Sequence, residues 1–419
     1  AGADTFEVTG TNALTSAGID FSNVEVVNAG SGTDLANDSA QYIDQVDVKI
    51  ATGAELVANN SNAIEAGDID FKDIESVELN NNILTGTSGA DTFDVTGTNA
   101  LTSAGISFSN VEVVNADEGA DQVNTDGADA SLFAELGSAV DYALETLGIT
   151  FRDTENVDLN DGTLAGSSEA DSFEVTGTTL AANAINVTNA ASAIDAGAGD
   201  DAVTVNDTYS TLTGTDNALN TANYQFTSIQ AADLNSNALT GTSGADTFDV
   251  TAVNSLTSAG VNFINVAVVD GGNGATDGDL PVNDKVNTGG LNASLSGVGI
   301  GSVTAGEVLF LQVEEVDLAG GDFSGSDQND VFEVTGTVLT ANGITVTNAA
   351  STIDAGIGDD AVTVNDANST LTGTDNALNT AAYQFSSIAS ANLRSNALTG
   401  TDGADTFDVT GANALSSAG

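Results

Sequence analysis

The chain has 419 residues, 61 of them acidic and only five basic, for a formal net charge of -56. It contains no His, Cys, Met or Trp, which excludes a Ser-His-Asp triad, a thiolate nucleophile, a disulfide framework and any His- or Cys-ligated metal, leaving calcium or magnesium on oxygen ligands. Five basic side chains cannot neutralise a phosphate backbone, so nucleic acid is excluded as a partner, and no run of 18 apolar residues marks a membrane-spanning helix.

Such acidity often signals disorder, but an apolar fraction of 41% and a regular pattern argue for a fold. The first ordered signal is Asp4-Thr5-Phe6-Glu7-Val8. The form Asp-x-Phe-x-Val returns from Asp91, Asp171, Asp246, Asp330 and Asp405, at spacings of 87, 80, 75, 84 and 75 residues. Apolar and polar residues alternate within these copies and in Ile106/Phe108, Val203/Val205 and Ile344/Val346, a period of two that predicts half-buried strands.

Next along each repeat comes Asp-x-Val, at Asp44/Val46, Asp121/Val123, Asp201/Val203, Asp284/Val286 and Asp360/Val362. Three copies follow the first motif by 30 residues and the other two by 40 and 38. The excess falls in the polar stretches 30–40 and 271–284, which read as surface loops set into a constant frame, the second holding the only proline, Pro281. Leu132, Leu136, Val140, Ala143 and Leu147 are spaced for one face of a short helix, with Asp129 or Ser131 as its cap.

Each repeat closes on a third motif, Phe-x-x-(Ile/Val/Thr), from Phe71, Phe151, Phe226, Phe310 and Phe385. In all five copies that Phe precedes the next motif Asp by 20 residues. A fixed interval of this kind predicts rigid structure rather than a loop.

The repeats predict an all-β fold: a parallel β-solenoid (a β-helix or β-roll) with repeats of 75–87 residues and about three coils in each. The divisions are 1–87, 88–167, 168–242, 243–326 and 327–401, with 402–419 starting a further repeat, all in one continuous array. Stacked coils rise by about 4.8 Å, so equivalent side chains form ladders, and matching phenylalanines are expected to pile into one hydrophobic spine. Residues 171–245 and 330–404 are near copies, and both ends of the sequence fall inside the other kind of repeat, as if cut from a longer array.

The run from Ala196 to Thr204, repeated from Ala355 to Thr363, approaches the nonapeptide G-G-x-G-x-D-x-U-x. Gly86 to Asp94 has the related form G-x-x-G-x-D-x-Φ-x. On these residues the chain resembles the calcium-binding β-roll repeats of RTX haemolysin-type proteins and the coils of giant bacterial adhesins and surface-layer proteins. The resemblance implies calcium at Asp201 and Asp360, then at Asp91, Asp246 and Asp405. Asp171 and Asp330 match less well, because Glu169 and Gln328 replace the motif glycine. The chain departs from that family in that its nonapeptides stand alone rather than in tandem. An isolated copy also fits an Asp that simply hydrogen-bonds turn amides.

The expected function is structural and adhesive: a secreted, cell-surface or extracellular filament segment of a bacterial protein, not an enzyme. Its expected partners are other copies of itself or further repeats, together with divalent cations, and not a membrane interior. The alternatives are a surface-layer lattice subunit, a solenoid binding ice or carbohydrate, and a polysaccharide-active β-helix enzyme. The last lacks the basic residues and exposed aromatics that such a cleft uses.

Overall fold

The computed structural model describes residues 4–29, 45–57, 62–133, 143–206, 209–272, 283–365 and 367–417. Among them every regular element is a strand and no helix occurs. The chain divides into two compact units, one of residues 1–203 with 223–229 and the other of 204–222 with 230–419. Each unit is a β-solenoid of mostly parallel strands, as the repeats predict.

In the first unit, the second repeat shows how the winding works. One wall starts with an antiparallel meander: Thr92–Gly97, Ala100–Ser103 and the first half of Ile106–Asn115. The turn into the third strand is Ala104–Gly105, both at positive φ (49° and 81°), the two-residue geometry whose twist suits a hairpin. The chain then crosses to the opposite wall and returns as Gln122–Asn124. The opposite wall next receives its own meander, Ala130–Phe133, Ala143–Thr146 and Ile149–Arg152. Asn156–Asp158 and Leu164–Ala165 complete the repeat, one on each wall. Between successive copies of Asp-x-Phe-x-Val the chain therefore visits each wall three times, once as a meander and twice as a single strand.

Single strands stack in parallel and in register: Phe93 on Val123, Val123 on Val157, Val157 on Val187. The meanders run the other way. After Asn156–Asp158 the chain enters the wall ahead of its last rung, at Ser172–Thr176. It then walks back through Thr179–Ala182 to Ile185–Thr188, which lies directly on Asn156–Asp158. The second unit repeats the plan, with Phe248 on Val286, Val286 on Val316 and Val316 on Val346. Its opposite wall runs from Phe323 to Ile353 to Phe385.

The expected spine of phenylalanines takes a different form. Phe71, Phe151 and Phe226 occupy equivalent places and are fully buried, but aliphatic rungs separate them. Each ring instead meets the motif Phe of its own repeat across the core: Phe6–Phe71, Phe93–Phe151, Phe173–Phe226, Phe248–Phe310 and Phe332–Phe385, with centroids 5.5–6.2 Å apart and tilted planes. The reason is the winding. A meander sets three rungs between single strands, so equivalent positions of successive repeats are never adjacent. Burying one such ring contributes on the order of 1.5–3 kcal/mol, and a tilted pair adds about 0.5–1.5 kcal/mol.

The described ends of the expected helix are strands. Leu132 lies on Ala130–Phe133 and Ala143 on Ala143–Thr146, which pair antiparallel with Leu132 opposite Leu144. Leu147 sits in the following turn at φ 46°. Strand pairing within the wall overrides a helical spacing that five residues meet by coincidence. Leu136 and Val140 lie outside the described residues, as do Asp44, Pro281 and most of the two inserted stretches.

Candidate functional site in the aspartate turns

From Asp91 onward, the motif aspartates close the turns that lead into the Asp-x-Phe-x-Val strands. At Asp91, Oδ2 accepts the Thr87 amide at 2.6 Å and the Thr87 hydroxyl at 2.9 Å. The Thr87 oxygen in turn accepts the Gly89 amide at 3.1 Å. Asp246 holds Thr242 in the same way, at 2.6 and 3.0 Å. Asp405 accepts the Thr401 amide and hydroxyl, both at 2.8 Å. Where Ser replaces Thr, Asp171 and Asp330 accept the Ser167 and Ser326 amides at 2.6 Å, and Asn183 and Asn342 add side-chain donors at 2.5 and 2.6 Å. These five carboxylates thus satisfy turn donors that no ladder partner could reach.

The glycine opening each turn answers a different need. A Cβ on Gly166 would stand 1.8 Å from the Ala196 carbonyl oxygen, and one on Gly325 the same distance from that of Ala355. The next rung passes too close for any side chain.

The Asp-x-Val aspartates form a second tier. The Asp91 amide donates to Asp121 Oδ1, Asp171 to Asp201, Asp246 to Asp284 and Asp330 to Asp360, each at 2.8 Å. In two repeats a third tier follows: the Asp121 amide donates to Glu155 Oε2 and the Asp284 amide to Glu314 Oε2, both at 2.8 Å. The result is a staircase in which each acid caps the amide of the acid before it.

These second-tier acids are buried: Asp121, Asp201 and Asp360 are 0% exposed and Asp284 is 1%. Burial pushes the Asp121 carboxyl up to about 6, against the lowering effect of the Asp91 amide and with help from the Glu155 charge. Burial likewise raises Asp284 to about 6, with Asp246 and Glu314 in the corresponding roles. Asp201 and Asp360 are also raised, first by burial. At Asp121 and Asp360 the second carboxylate oxygen, Oδ2, is buried without a hydrogen-bond partner.

Of the five expected calcium ligands, Asp201 and Asp360 belong to the buried tier, whereas Asp91, Asp246 and Asp405 are half-buried turn acceptors. Asp201 and Asp360 accept the amides of Asp171 and Asp330, whereas Asp91, Asp246 and Asp405 accept the amide and hydroxyl of a threonine four residues earlier. Among the described residues no three acidic side chains come together in a group able to hold a metal ion.

The site also includes Asp121 and Asp284, and with them Glu155 and Glu314, which are not among the expected ligands. Their signal is the acid four residues after the third-motif Phe: Glu155 follows Phe151 and Glu314 follows Phe310, where the near-copy repeats carry Gln230 and Ala389.

Outside the turns, Asp94 accepts the Asn124 side chain at 2.6 Å. A groove of about 350 Å³ lies there, lined by Asp94, Val95, Thr96, Asn124, Asp126, Asp158 and Asn160. Its lining contains no aromatic ring on which a sugar could stack and no cation to meet a substrate carboxylate. Comparison with known protein families, characterised proteins and solved structures gives no match for the chain.

Proposed function

We propose that this chain is a structural and adhesive segment of a secreted bacterial surface protein or extracellular filament, with no catalytic role. The observation that carries the reading is the hydrogen-bonded staircase at the repeat turns, in which a recurring carboxylate fixes one rung to the next. Asp171 to Asp201 and Asp330 to Asp360 illustrate it at identical spacing and distance. A polymer of rungs carrying -56 charges resists collapse and nonspecific contact while keeping a stiff backbone.

Calcium belongs to this proposal as a stabiliser that binds the folded chain alone and so acts by mass action. At Asp360 an ion would meet Oδ2, because Oδ1 already accepts the Asp330 amide. Adding calcium is expected to raise Tm in low salt and excess chelator to reverse the rise. An unchanged Tm removes calcium from the account.

A lattice subunit is the second reading. It is favoured by two isoleucines on loops of the second unit, Ile300 and Ile357, which are 87% and 74% exposed and suit lateral contacts. Electron microscopy of the native material tests both. Fibres support the filament reading, a two-dimensional array supports the lattice, and dispersed single particles contradict both.

A further inference from the structure

We infer that the groove lined by Asp94, Asp126 and Asp158 is a binding site for a linear polyamine, a small organic cation with two or more ammonium groups. The inference goes beyond the structural reading by giving this surface a ligand.

The groove lies on the outer face of the first wall. Asp94 opposes Asn124 and Asn124 opposes Asp158, so the two acids stand two rungs apart, about 9–10 Å. Asp126, two residues past Asn124, adds a third carboxylate. The groove's volume of about 350 Å³ falls within the range of small-molecule sites. Asp94 accepts the Asn124 side chain at 2.6 Å and Asp158 accepts that of Asn189 at 2.9 Å, each through Oδ1. Among the described residues no hydrogen bond or ion pair reaches the Asp126 carboxylate.

The other repeats show what this place is built to hold. In the first repeat the same column runs Glu7, Asp47, Glu78. Lys49, at the position of Asp126, sets its ammonium against Glu7 and 3.5 Å from Asp47. In the fourth repeat the column is Asp249, Asn287, Asp317. There Lys285, at the position of Gln122, lies 3.0 Å from Glu315 and 3.6 Å from Asp317. In the fifth repeat Arg394 takes the position of Asn160, two residues past Asn392 in its column. Three of the chain's five basic residues thus belong to one column.

The second repeat keeps the acids and has none of these cations: Gln122, Asp126 and Asn160 stand in their places. The third repeat also lacks a cation there, but Asn206 replaces Asp126 and leaves it one acid fewer. The second repeat therefore has the acids of an ammonium site and no ammonium of its own.

The spacing selects the ligand. Among the described residues no three acids group closely enough to hold a metal ion, so a single compact ion cannot meet all three carboxylates. One exposed ion pair contributes little by itself, which disfavours a monoamine. A flexible chain with ammonium groups along its length meets both conditions. Its amines donate to the carboxylates of alternate rungs, and its methylenes cross the rung of Asn124 between them.

The test is calorimetric titration of the full chain with spermidine in about 0.15 M salt, where a Debye length of about 8 Å screens distant acids. One saturable site per chain is expected. Gln122→Lys installs the fourth repeat's lysine beside Asp158, and Asp126→Asn removes one acid. Each should weaken binding by about tenfold or more, whereas Glu145→Gln, which changes the net charge equally on the opposite wall of the same unit, should leave affinity within about twofold. All three side chains are half-buried or exposed, so each variant keeps the circular dichroism of the wild type. An equal loss in Glu145→Gln, binding that never saturates, or displacement by magnesium or butylamine at the spermidine concentration marks a general counterion effect and overturns the inference. Full affinity in Gln122→Lys, or no binding at all, overturns it as well.

Discussion

Phe332 and Phe385 meet across the core with ring centroids 5.6 Å apart and planes inclined by 59°. One opens its repeat on the first wall and the other ends the meander of the second wall, so the pair ties the two walls together once per repeat. Phe332→Ala should cost about 3–5 kcal/mol, against about 0.5–1.5 kcal/mol for trimming the aliphatic rung Ile353→Val. Because coils contact only their neighbours, the loss should be local. Hydrogen exchange should quicken within residues 330–404, while amides around Phe248 keep their protection.

The staircase makes a prediction about acid. Asp121 and Asp284 titrate near 6 in the folded chain, above the ordinary value of 3.8. The folded state therefore binds more protons than the unfolded state between those limits. Stability from these two groups is fully present below about pH 4 and is lost as the pH rises through about 6. The urea midpoint should accordingly climb as the pH falls from 7 to 5. Asp121→Asn keeps the acceptor for the Asp91 amide and removes the charge facing Glu155. It should raise the midpoint at pH 7 and flatten the pH dependence. Asp121→Ala should instead destabilise by about 1–3 kcal/mol, because the Asp91 amide loses its acceptor.

Much of this was legible in the sequence, and the reasons are specific. The 30-residue step from Asp171 to Asp201 is the height of one rung, which is why the spacing announced a solenoid and why both aspartates recur. The strand positions were legible because alternation in Phe93/Val95 or Ile344/Val346 follows directly from facing a core. The meanders were not, since nothing in a strand's own alternation says whether its neighbour is the preceding rung or the following one. Two-residue turns such as Ala104–Gly105 carried that information, and Ala is an unusual residue for a left-handed turn. The burial of Asp121 was equally hidden: the groups it meets, the Asp91 amide and the Glu155 carboxylate, lie 30 and 34 residues away.

The two kinds of repeat differ in how the meander turns of opposite walls dock. In the second repeat the Asn99 amide donates to the Leu147 carbonyl at 2.9 Å. In the near-copy repeats a tyrosine does this work, Tyr224 donating to the Thr178 carbonyl at 3.0 Å and Tyr383 to that of Thr337 at 2.9 Å. Tyr383→Phe keeps the ring against Phe385 and loses the hydrogen bond. It should cost about 0.5–1.5 kcal/mol, read from the denaturation midpoint.

Glycine substitutions separate close approach from mere flexibility. Gly325→Ala forces a Cβ into the Ala355 carbonyl and should open the turn before Asp330. Gly97→Ala meets nothing within 4 Å and should be close to neutral. Thermal melts of the two variants against wild type check the contrast.

The register of successive rungs is open to a direct chemical test, because the chain has no cysteine of its own. Glu333 opposes Thr363 on the adjacent parallel strand, and Thr363 opposes Asn392 on the strand after it. Adjacent rungs lie about 4.8 Å apart, within the usual Cα separation of a disulfide, and alternate rungs lie at about twice that distance. Mild oxidation should crosslink Glu333→Cys with Thr363→Cys within each molecule and leave Glu333→Cys with Asn392→Cys as free thiols. Ready crosslinking of the second pair, or none in the first, would contradict the stacking on which every other statement here depends.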